Sequence, residues 1–271
     1  MNKALIQFLS AVAPSAVVSM AYKTLANPQI KKLRPHEIDV LDQAKKERFA
    51  FKGFDIQLYA WGTGEKTILL IHGWEGQAGN FADIIDRLLQ ANYRVYAFDA
   101  PSHGFSSRGK TSLFEFTELA GVMIRKYGVD TLMSHSFGGV ATTYALFQNQ
   151  DLLIDKYVLL TTPDRFMDRI QYVSDSLGIP EKVKNRLVDR LNRETGQNAE
   201  DLNVSDFVKS VQVKQALILH DKNDKVIPLA SSQQVCRGWG SCRLVEVEGT
   251  GHFRILREAS VMDQVMVFLE G

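Results

Sequence analysis

The chain has little cysteine, and its two cysteines lie close together. They are Cys236 and Cys242, in the segment Cys-Arg-Gly-Trp-Gly-Ser-Cys of a chain of 271 residues. This spacing fits neither a structural zinc site nor the disulfide framework of a small secreted fold. We therefore expect two incidental free thiols in a reducing compartment, and hence a cytoplasmic protein.

An excess of charge of either sign is also absent. The 32 lysines and arginines almost balance the 31 aspartates and glutamates, which leaves a formal net charge of +1. This balance gives no bulk attraction to nucleic acid or to an anionic membrane, and we predict no nucleic-acid partner. With 45% hydrophobic and 23% charged residues, the composition is that of a globular protein with a large core. The length suits one domain, or one domain with an insertion.

No uninterrupted apolar run is long enough to cross a membrane. Residues 4–25 are the most apolar stretch, but Gln7, Ser10 and Pro14 interrupt it. We interpret this stretch as an amphipathic helix rather than a membrane span. Its expected apolar face consists of Leu5, Leu9, Val12, Ala16 and Met20.

The sequence leaves the role of this helix open. Ser19-Met20-Ala21 is compatible with the cleavage site of a secretory signal. Otherwise the helix packs on the body of the protein, or docks on a lipid surface as a peripheral membrane contact. A basic segment, Lys31-Lys32-Leu33-Arg34-Pro35, follows it. We assign residues 1–46 to an N-terminal helical extension and linker.

Strands and helices alternate through the rest of the chain. Apolar residues alternate at 49–51 and 56–60 on either side of Lys52-Gly53, which is typical of a β-hairpin. Further strands are predicted at 67–71, 93–98, 129–133, 157–160, 216–219 and 244–247, and helices at 81–89, 113–127, from 137 onward and at 255–269. This alternation predicts an α/β fold with a doubly wound, mostly parallel sheet.

One segment breaks the alternation. Residues 163–210 carry helical apolar spacing, as at Phe166, Ile170 and Val173, and no strand pattern. We assign this segment to a helical lid, inserted in a core that comprises residues 47–162 and 211–271. Between Asp164 and Lys209 its nine acidic and eight basic residues nearly balance, so neither an anionic nor a cationic substrate is favoured.

The most informative local pattern is Ser134-His-Ser136-Phe-Gly138. A buried strand leads into it, and apolar residues at helical spacing follow from Phe137 onward. A strand that turns into a helix around a serine is a nucleophile elbow, and the residues two before and two after that serine must be small. Gly138 meets this demand fully, whereas Ser134 stands where glycine is usual. Ser136 is therefore the candidate nucleophile.

A serine hydroxyl needs a base within hydrogen-bond reach and a third group that orients the base. Downstream loops supply these residue types in a suitable order. Asp221 and Asp224 follow one buried strand, and His252 follows the last strand. Because the carboxyl ends of parallel strands meet at one edge of a sheet, we expect these loops to lie near Ser136.

Patterns for metals and cofactors are weak. Histidine and carboxylate adjoin only as His36-Glu37 and His220-Asp221, without repeated ligand spacing. No glycine-rich loop fits a nucleotide-binding pattern. We predict that the protein uses neither a metal nor a cofactor.

From about Phe49 to Gly271 the chain resembles the α/β-hydrolase fold superfamily of serine esterases and lipases. The matching motifs are His72-Gly73-Trp74, Asp99-Ala-Pro-Ser-His103-Gly104-Phe-Ser106, the elbow, the Asp224 loop and the His252 loop. The second motif has Ser102 in the family's glycine place. The resemblance implies the α/β-hydrolase fold and a serine hydrolase.

The resemblance also implies a role for each candidate residue. Ser136 is the nucleophile, His252 is the general base and then the general acid, and Asp224 orients the histidine. Val226-Ile-Pro228 matches the family's pattern downstream of the acid, which favours Asp224 over Asp221.

Further roles follow from the same resemblance. The backbone N–H groups of Trp74 and Phe137 form the oxyanion hole, which is worth about 3 kcal/mol per donor. We expect no catalytic role for the remaining histidines. His72 and His103 hold loops, His135 points away from the site, and His36 and His220 are incidental to catalysis.

A serine nucleophile implies a small-molecule substrate, a carboxylic ester or thioester cleaved through an acyl-enzyme. Trp74 with Phe166 and Ile170 of the lid suggests a hydrophobic acyl pocket, although simple packing of the lid on the sheet explains the lid residues equally well. An acyltransferase with the same catalytic residues and a non-catalytic ligand-binding protein remain as alternatives. Loop shape sets the substrate, so the sequence does not name it.

Overall fold

The computed structural model describes residues 3–30 and 32–271, and a single sheet lies at its centre. The strands are Lys45–Phe51 (β1), Phe54–Trp61 (β2), Lys66–Ile71 (β3), Tyr93–Phe98 (β4), Thr131–His135 (β5), Ile154–Leu160 (β6), Val213–Asp221 (β7) and Cys242–Val247 (β8). Their order in the sheet is β1-β2-β4-β3-β5-β6-β7-β8. The β1–β2 and β2–β4 pairs are antiparallel and all other pairs are parallel. The expected hairpin and mostly parallel sheet are confirmed.

Helices cover both faces of this sheet and its carboxyl edge. They are Lys3–Val12 (α1), Pro14–Ala26 (α2), Pro35–Asp42 (α3), Ala82–Gln90 (α4), Leu113–Tyr127 (α5), Phe137–Gln148 (α6), Phe166–Leu177 (α7), Glu181–Thr195 (α8), Val204–Phe207 (α9), Leu229–Arg237 (α10), Gly251–Arg254 (α11) and Ala259–Glu270 (α12). Short 3-10 helices span Ala78–Phe81 and Ala199–Asp201. Helices α7 to α9 lie between β6 and β7, within the segment assigned to the lid.

The central strands alternate their side chains between two apolar clusters. In β3, Leu69 and Ile71 join the cluster that packs with α5 and α6. Ile68 and Leu70 join the cluster that packs with α4 and α12. All four side chains are fully buried, as expected for a parallel strand that helices cover on both faces.

The closing helix differs from the prediction. The helix predicted at 255–269 is present as α12, but it begins later, at Ala259, after the short α11 has ended at Arg254. Glu258 between them has an extended backbone, with φ −74° and ψ 122°, which interrupts the helical hydrogen bonds. The short α11 is thereby free to carry His252 at the sheet edge while α12 packs across one face.

The N-terminal stretch also differs from the prediction. Pro14 divides it into α1 and α2, and as the first residue of α2 it lacks the N–H that would continue α1. The expected apolar face is confirmed only in part, because Leu9 and Met20 pack on the cluster of buried side chains and the other expected residues do not. Leu5 and Val12 are 51% and 62% exposed. The residues that are buried are Ile6, Ser10, Val17, Val18, Ala21 and Ala26.

The buried side of these helices packs on the helices between β6 and β7. Ile6 and Val17 share a cluster with Ile170 of α7 and Leu187 of α8. Of the roles left open for this stretch, packing on the body is the one that the structure contains. No helix among residues 3–30 and 32–271 is long and apolar enough to cross a membrane.

Cys236 and Cys242 form a disulfide, so the expectation of two free thiols is wrong. Cys236 lies near the end of α10 and Cys242 begins β8. The turn between them brings their Cα atoms to 5.4 Å, within the usual range for a disulfide. The expectation of a reducing compartment rested on free thiols and loses that support.

Candidate active site

Ser136 lies at the turn between β5 and α6. Its backbone has φ 52° and ψ −125°, a region that residues other than glycine seldom adopt. The N–H of Ser136 donates to the carbonyl of Leu160 on β6, at 2.9 Å. A strained, non-glycine backbone held by its surroundings is frequent at functional sites. The strand, the turn and the helix match the predicted elbow.

The residues on either side of Ser136 meet the demand for small side chains in different ways. A Cβ atom at Gly138 would lie 2.4 Å from the carbonyl oxygen of His72, so only glycine fits there. Ser134 is fully buried, and its Oγ shares a hydrogen bond of 2.8 Å with the hydroxyl of Tyr157. The buried hydroxyl of the serine that replaces the usual glycine therefore has a hydrogen-bond partner.

His252 lies on the short helix α11, and its partner is Asp224 in the loop after β7. The Nδ1 atom donates to Asp224 Oδ2 at 2.9 Å, since an ionised carboxylate only accepts. The other carboxylate oxygen of Asp224 accepts from the N–H groups of Val226 and Ile227, at 2.7 and 3.0 Å. Burial opposes ionisation, but the interaction with His252 and the hydrogen bonds from Ile227 and Val226 hold the pKa of Asp224 below its ordinary value. Asp224 is thus the carboxylate that contacts the histidine.

Asp221 has a different role from Asp224. Its Oδ2 accepts from the Thr250 hydroxyl and from the N–H of Gly251, both at 2.9 Å, and its Oδ1 accepts from Asn223 N–H at 2.7 Å. Although burial raises its pKa, these hydrogen bonds outweigh burial and lower the pKa of Asp221. This carboxylate fixes the loop that precedes His252.

His220 is not incidental. It is fully buried at the end of β7, where its Nε2 donates to the carbonyl of Ile227 at 3.0 Å and its Nδ1 lies 2.7 Å from Ser232 Oγ. Its Nε2 is also 3.8 Å from Asp224 Oδ2. Burial lowers the pKa of His220. The ring supports the loop that carries Asp224, and the sequence offered no signal for this beyond its position at the strand end.

His135 stays out of the cavity at Ser136, but it is not remote from the site. Its Nε2 donates to the backbone carbonyl of His252 at 2.9 Å, and the two rings lie 4.9 Å apart. Burial, followed by the neighbouring His252, lowers the pKa of His135 to about 3. The ring is therefore neutral and holds the backbone of α11.

His72 and His103 hold loops, as expected. His72 Nε2 accepts from the N–H of Ala100 at 3.0 Å, and its Nδ1 donates to the carbonyl of Gly73 at 2.7 Å. His103 Nδ1 donates to the carbonyl of Pro101 at 2.9 Å. Together these bonds join the loop after β3 to the loop after β4.

Trp74 and Phe137, the residues expected to supply the oxyanion hole, both line the same cavity as Ser136. Phe137 begins α6, so its N–H belongs to the first turn, where no carbonyl of the helix accepts it. Trp74 lies within a turn closed by the hydrogen bond from Gly76 N–H to Gly73 O, at 3.0 Å. The two aromatic rings contact edge to face, with centroids 5.2 Å apart.

A cavity of about 780 Å³ opens beside the elbow. Ser136, His252, Trp74, Phe137 and Phe166 all line it. No hydrogen bond joins Ser136 Oγ to the His252 ring in the described part of the chain, and such bonds often tighten only when substrate binds. The structure thus gathers most of the predicted site residues around one space, with Asp224 behind His252.

Ile170 does not belong to this group. Its side chain is fully buried and packs with α1 and α2 instead of lining the cavity. The α7 face that carries Phe166, Ile170 and Val173 contacts both the cavity and the N-terminal helices. Ile170 lies on the part that contacts the N-terminal helices. The expectation that Ile170 contacts substrate does not agree with this position.

The cavity is less uniformly apolar than the sequence suggested. Its lining includes five charged side chains, which are Glu75, Arg165, Asp168, Arg169 and Asp175.

Within residues 3–30 and 32–271 there is no group of three or more histidine, cysteine or acidic side chains placed to hold a metal ion.

Comparison with known proteins agrees with this architecture. A profile of the Alpha/beta hydrolase family matches residues 68–264. The Uncharacterized hydrolase YugF of Bacillus subtilis (strain 168) is 29% identical over 119 residues, which are 42% of this chain and 43% of that protein. The chain spans less than half the length of the curated relatives it matches.

Solved structures share the fold at low sequence identity. The esterase EaEST from Exiguobacterium antarcticum has a TM-score of 0.63 and 18% identity, covering 82% of this chain and 98% of its own. Est1E from Butyrivibrio proteoclasticus, solved with ferulic acid bound, has a TM-score of 0.63 and 18% identity over 83% of this chain and all of its own. The family profile covers most of the chain, and the sheet order and elbow agree with it. The protein therefore belongs to the alpha/beta hydrolase family.

Proposed function

We propose that this hydrolase cleaves carboxylic esters or thioesters through an acyl-enzyme on Ser136. The observation that carries the proposal is the hydrogen bond of 2.9 Å between His252 Nδ1 and Asp224 Oδ2, behind a histidine that lines one cavity with Ser136. A serine becomes a useful nucleophile only beside an oriented base. An esterase among the solved structures of the same fold is consistent with this reaction class.

The tautomer of His252 fits the role of general base. Its Nδ1 carries the proton that is donated to Asp224, so Nε2 has the free lone pair. In the first step Nε2 takes the proton of Ser136 while Oγ bonds to the substrate carbonyl carbon. The negative carboxylate of Asp224 stabilises the imidazolium that forms.

The N–H groups of Trp74 and Phe137 then face the oxyanion of the tetrahedral intermediate. Such a donor stabilises the transition state by about 3 kcal/mol. Collapse of the intermediate breaks the ester or thioester bond, and His252 gives its proton to the departing alcohol or thiol. Water attacks the acyl-enzyme by the same steps, which releases the carboxylic acid and restores Ser136.

The acyl group is placed between the elbow and α7. Trp74 and Phe166 supply aromatic walls, and Val140 and Val173 supply aliphatic ones. Residues 163–210 act in this proposal as the lid that shapes the pocket. Ile170 supports the lid from behind rather than contacting substrate.

Turnover of 4-nitrophenyl acetate, butyrate and hexanoate tests the proposal. We expect measurable hydrolysis by the wild-type protein and a loss of about a thousandfold or more in Ser136→Ala, since the variant lacks the proposed nucleophile. Ser231→Ala, which also lies on the cavity wall, is the matched control. The proposal fails if wild-type protein cleaves none of these esters, or if Ser136→Ala cleaves them at an unchanged rate. Analysis of products with an alcohol acceptor present separates a hydrolase from an acyltransferase.

A further inference from the structure

A second, smaller cavity of about 50 Å³ adjoins the main one. The two cavities share four lining residues, which are Trp74, Phe137, Phe166 and Arg169. The other walls of the smaller cavity come from α2, from the start of α5 with the residues before it, and from α8. These walls consist of Tyr22, Leu25, Ala26, Thr111, Ser112, Leu113, Phe114, Leu191 and Thr195. The N-terminal helix α2 thus closes a space that continues from the candidate active site.

Two polar groups on these walls have no hydrogen-bond partner among residues 3–30 and 32–271. They are the indole Nε1 of Trp74 and the hydroxyl Oγ1 of Thr111, and both are buried. Thr111 is fixed in place because its backbone N–H donates to the carbonyl of Ala26 at 3.0 Å. Most buried polar groups in native proteins have a hydrogen-bond partner, so these two side chains are available to a molecule that enters beside them.

The other hydroxyl groups on the walls are different. Ser112 Oγ accepts from Phe114 N–H at 3.1 Å and donates to Glu115. Thr195 Oγ1 donates to the carbonyl of Leu191 at 2.8 Å. Ser112 and Thr195 thus have partners within the described ranges, whereas Trp74 and Thr111 have none.

Arg169 is the one charged side chain among the lining residues of the smaller cavity. Within the described ranges its guanidinium forms no ion pair or hydrogen bond, and its Cζ atom lies over the ring of Tyr172, 5.8 Å from the centroid. Burial lowers the pKa of Arg169 while the charge of Glu75 opposes that change. Glu75 lines only the main cavity, and its carboxylate accepts from Gln29 N–H at 3.4 Å.

A cavity with one positive charge, unpaired donors and no acidic wall residue fits a compact anion. A carboxylate suits the guanidinium best, because a planar anion can accept two parallel hydrogen bonds from it. The volume also suffices for water, which is the simplest other occupant. Apolar wall residues such as Leu25 and Phe114 offer no hydrogen bond to such an anion, whereas Arg169, Trp74 and Thr111 carry donors without a partner in the described ranges.

We propose that the smaller cavity binds a carboxylate at the far end of the substrate's acyl group, so that the preferred substrate is a monoester or monothioester of a dicarboxylic acid. The proposal rests on the function proposed above for Ser136. It assigns to Arg169, Trp74 and Thr111 the recognition of the distal carboxylate. The nearly balanced charge of the lid sequence did not predict a preference for an anionic substrate. That preference depends on one arginine, Arg169, whose position beside the smaller cavity is set by the packing of α2 and α8.

Binding of matched acids tests the proposal without requiring turnover. Succinate, glutarate and adipate are compared with butyrate, valerate and hexanoate by calorimetry on Ser136→Ala, so that each pair differs only in the terminal carboxylate. We expect at least one dicarboxylate to bind about tenfold more tightly than its monocarboxylate partner. Equal or weaker binding of all three dicarboxylates overturns the proposal.

Variants then test whether the preference for dicarboxylates over monocarboxylates arises in the smaller cavity. In the Ser136→Ala background, Arg169→Met should lower dicarboxylate affinity about tenfold and leave monocarboxylate affinity within about twofold. Thr111→Val should lower dicarboxylate affinity about threefold. Arg165→Met is the control, because Arg165 lines only the main cavity. If Arg165→Met removes the preference as fully as Arg169→Met, the carboxylate site proposed here is wrong.

Failure of the carboxylate site and failure of the proposed function give different results. A protein that binds adipate through Arg169 but never hydrolyses an ester retains the carboxylate site and loses the serine-hydrolase proposal. A protein that hydrolyses neutral esters through Ser136 but ignores the second carboxylate retains the hydrolase and loses the site.

Discussion

His252 and Asp224 are joined by a hydrogen bond of 2.9 Å from the imidazole Nδ1 to the carboxylate Oδ2. The second oxygen of Asp224 is occupied by two backbone N–H groups, so the carboxylate cannot turn away without losing them. The bond fixes the tautomer of His252 and leaves Nε2 as the free base.

Asp224→Asn should abolish most of the activity without unfolding the protein. The asparagine amide can donate to Nδ1, which places the ring proton on Nε2 and removes the base. We expect turnover of 4-nitrophenyl butyrate to fall by about 10⁴-fold. Thermal unfolding should show that the variant remains folded.

Asp221→Asn is the matched change in the same loop. Its carboxylate holds Thr250 and Gly251 rather than the ring, so we expect a loss of about 1–3 kcal/mol in the free energy of unfolding and a smaller loss of turnover. If Asp221→Asn reduces turnover more than Asp224→Asn does, the two carboxylates have been assigned the wrong way round.

Buried neutral histidines should make the fold sensitive to mild acid. Burial, with the neighbouring His252, lowers the pKa of His135 from 6.5 to about 3, and burial lowers that of His72 to about 4. Unfolding therefore takes up protons once the pH falls below about 6.5. The stability that depends on the neutral rings is complete above that pH and is lost as the pH falls toward the folded pKa values.

His135→Gln measures one part of this acid sensitivity. The glutamine retains a donor for the carbonyl of His252 but cannot take up a proton. Between pH 6 and 4 we expect the slope of unfolding free energy against pH to decrease by about 1.4 kcal/mol per pH unit relative to wild type. The exposed His36→Gln is the control, and an equal effect of both substitutions would contradict a buried neutral His135.

Ser134→Gly tests the serine in the usual glycine place. Its hydroxyl is already bonded to Tyr157, so the elbow is not deformed by it, and turnover should stay within about twofold of wild type. The free energy of unfolding should fall by about 1 kcal/mol through loss of that hydrogen bond. Tyr157→Phe should lower the free energy of unfolding by a similar amount. The double variant should be destabilised by less than the sum of the two single variants, because both remove the same hydrogen bond. A large rise in turnover of Ser134→Gly would show instead that the serine distorts the elbow.

The N-terminal helices should contribute to the stability of the fold. Ile6→Ala removes a side chain that is 1% exposed and packs with the lid helices, so unfolding free energy should fall by about 2–4 kcal/mol. Leu5 lies next to Ile6 but is 51% exposed, so Leu5→Ala should change the free energy of unfolding by less than about 0.5 kcal/mol. Chemical denaturation of both variants makes the comparison. Equal effects would mean that α1 does not pack as described.

Local patterns were sufficient to predict the sheet and the elbow. The run at 67–71 and the hairpin at Lys52-Gly53 have strand signals that no distant contact needs to complete. The segment around Ser136 is equally local, because its steric demand involves residues within two positions. Asp224 was harder to separate from Asp221, since both occupy one loop and only the direction of each side chain distinguishes them.

The residues that sequence reasoning missed act through distant contacts. His135 and His252 are 117 positions apart in the chain, and no periodicity relates them. Ile170 was misplaced for a similar reason, because the helical spacing of α7 does not say which part of its apolar face α1 and α2 cover. The disulfide also depended on a turn that brings α10 to β8, which the spacing of two cysteines does not reveal.

The most direct test of the central claim is intact-protein and peptide mass spectrometry after treatment with a fluorophosphonate probe. The account predicts one covalent adduct on wild-type protein, located on Ser136, with no adduct on Ser136→Ala and much slower labelling of Asp224→Asn. An unlabelled wild-type protein that is folded, or an adduct that persists on another residue in Ser136→Ala, would contradict it.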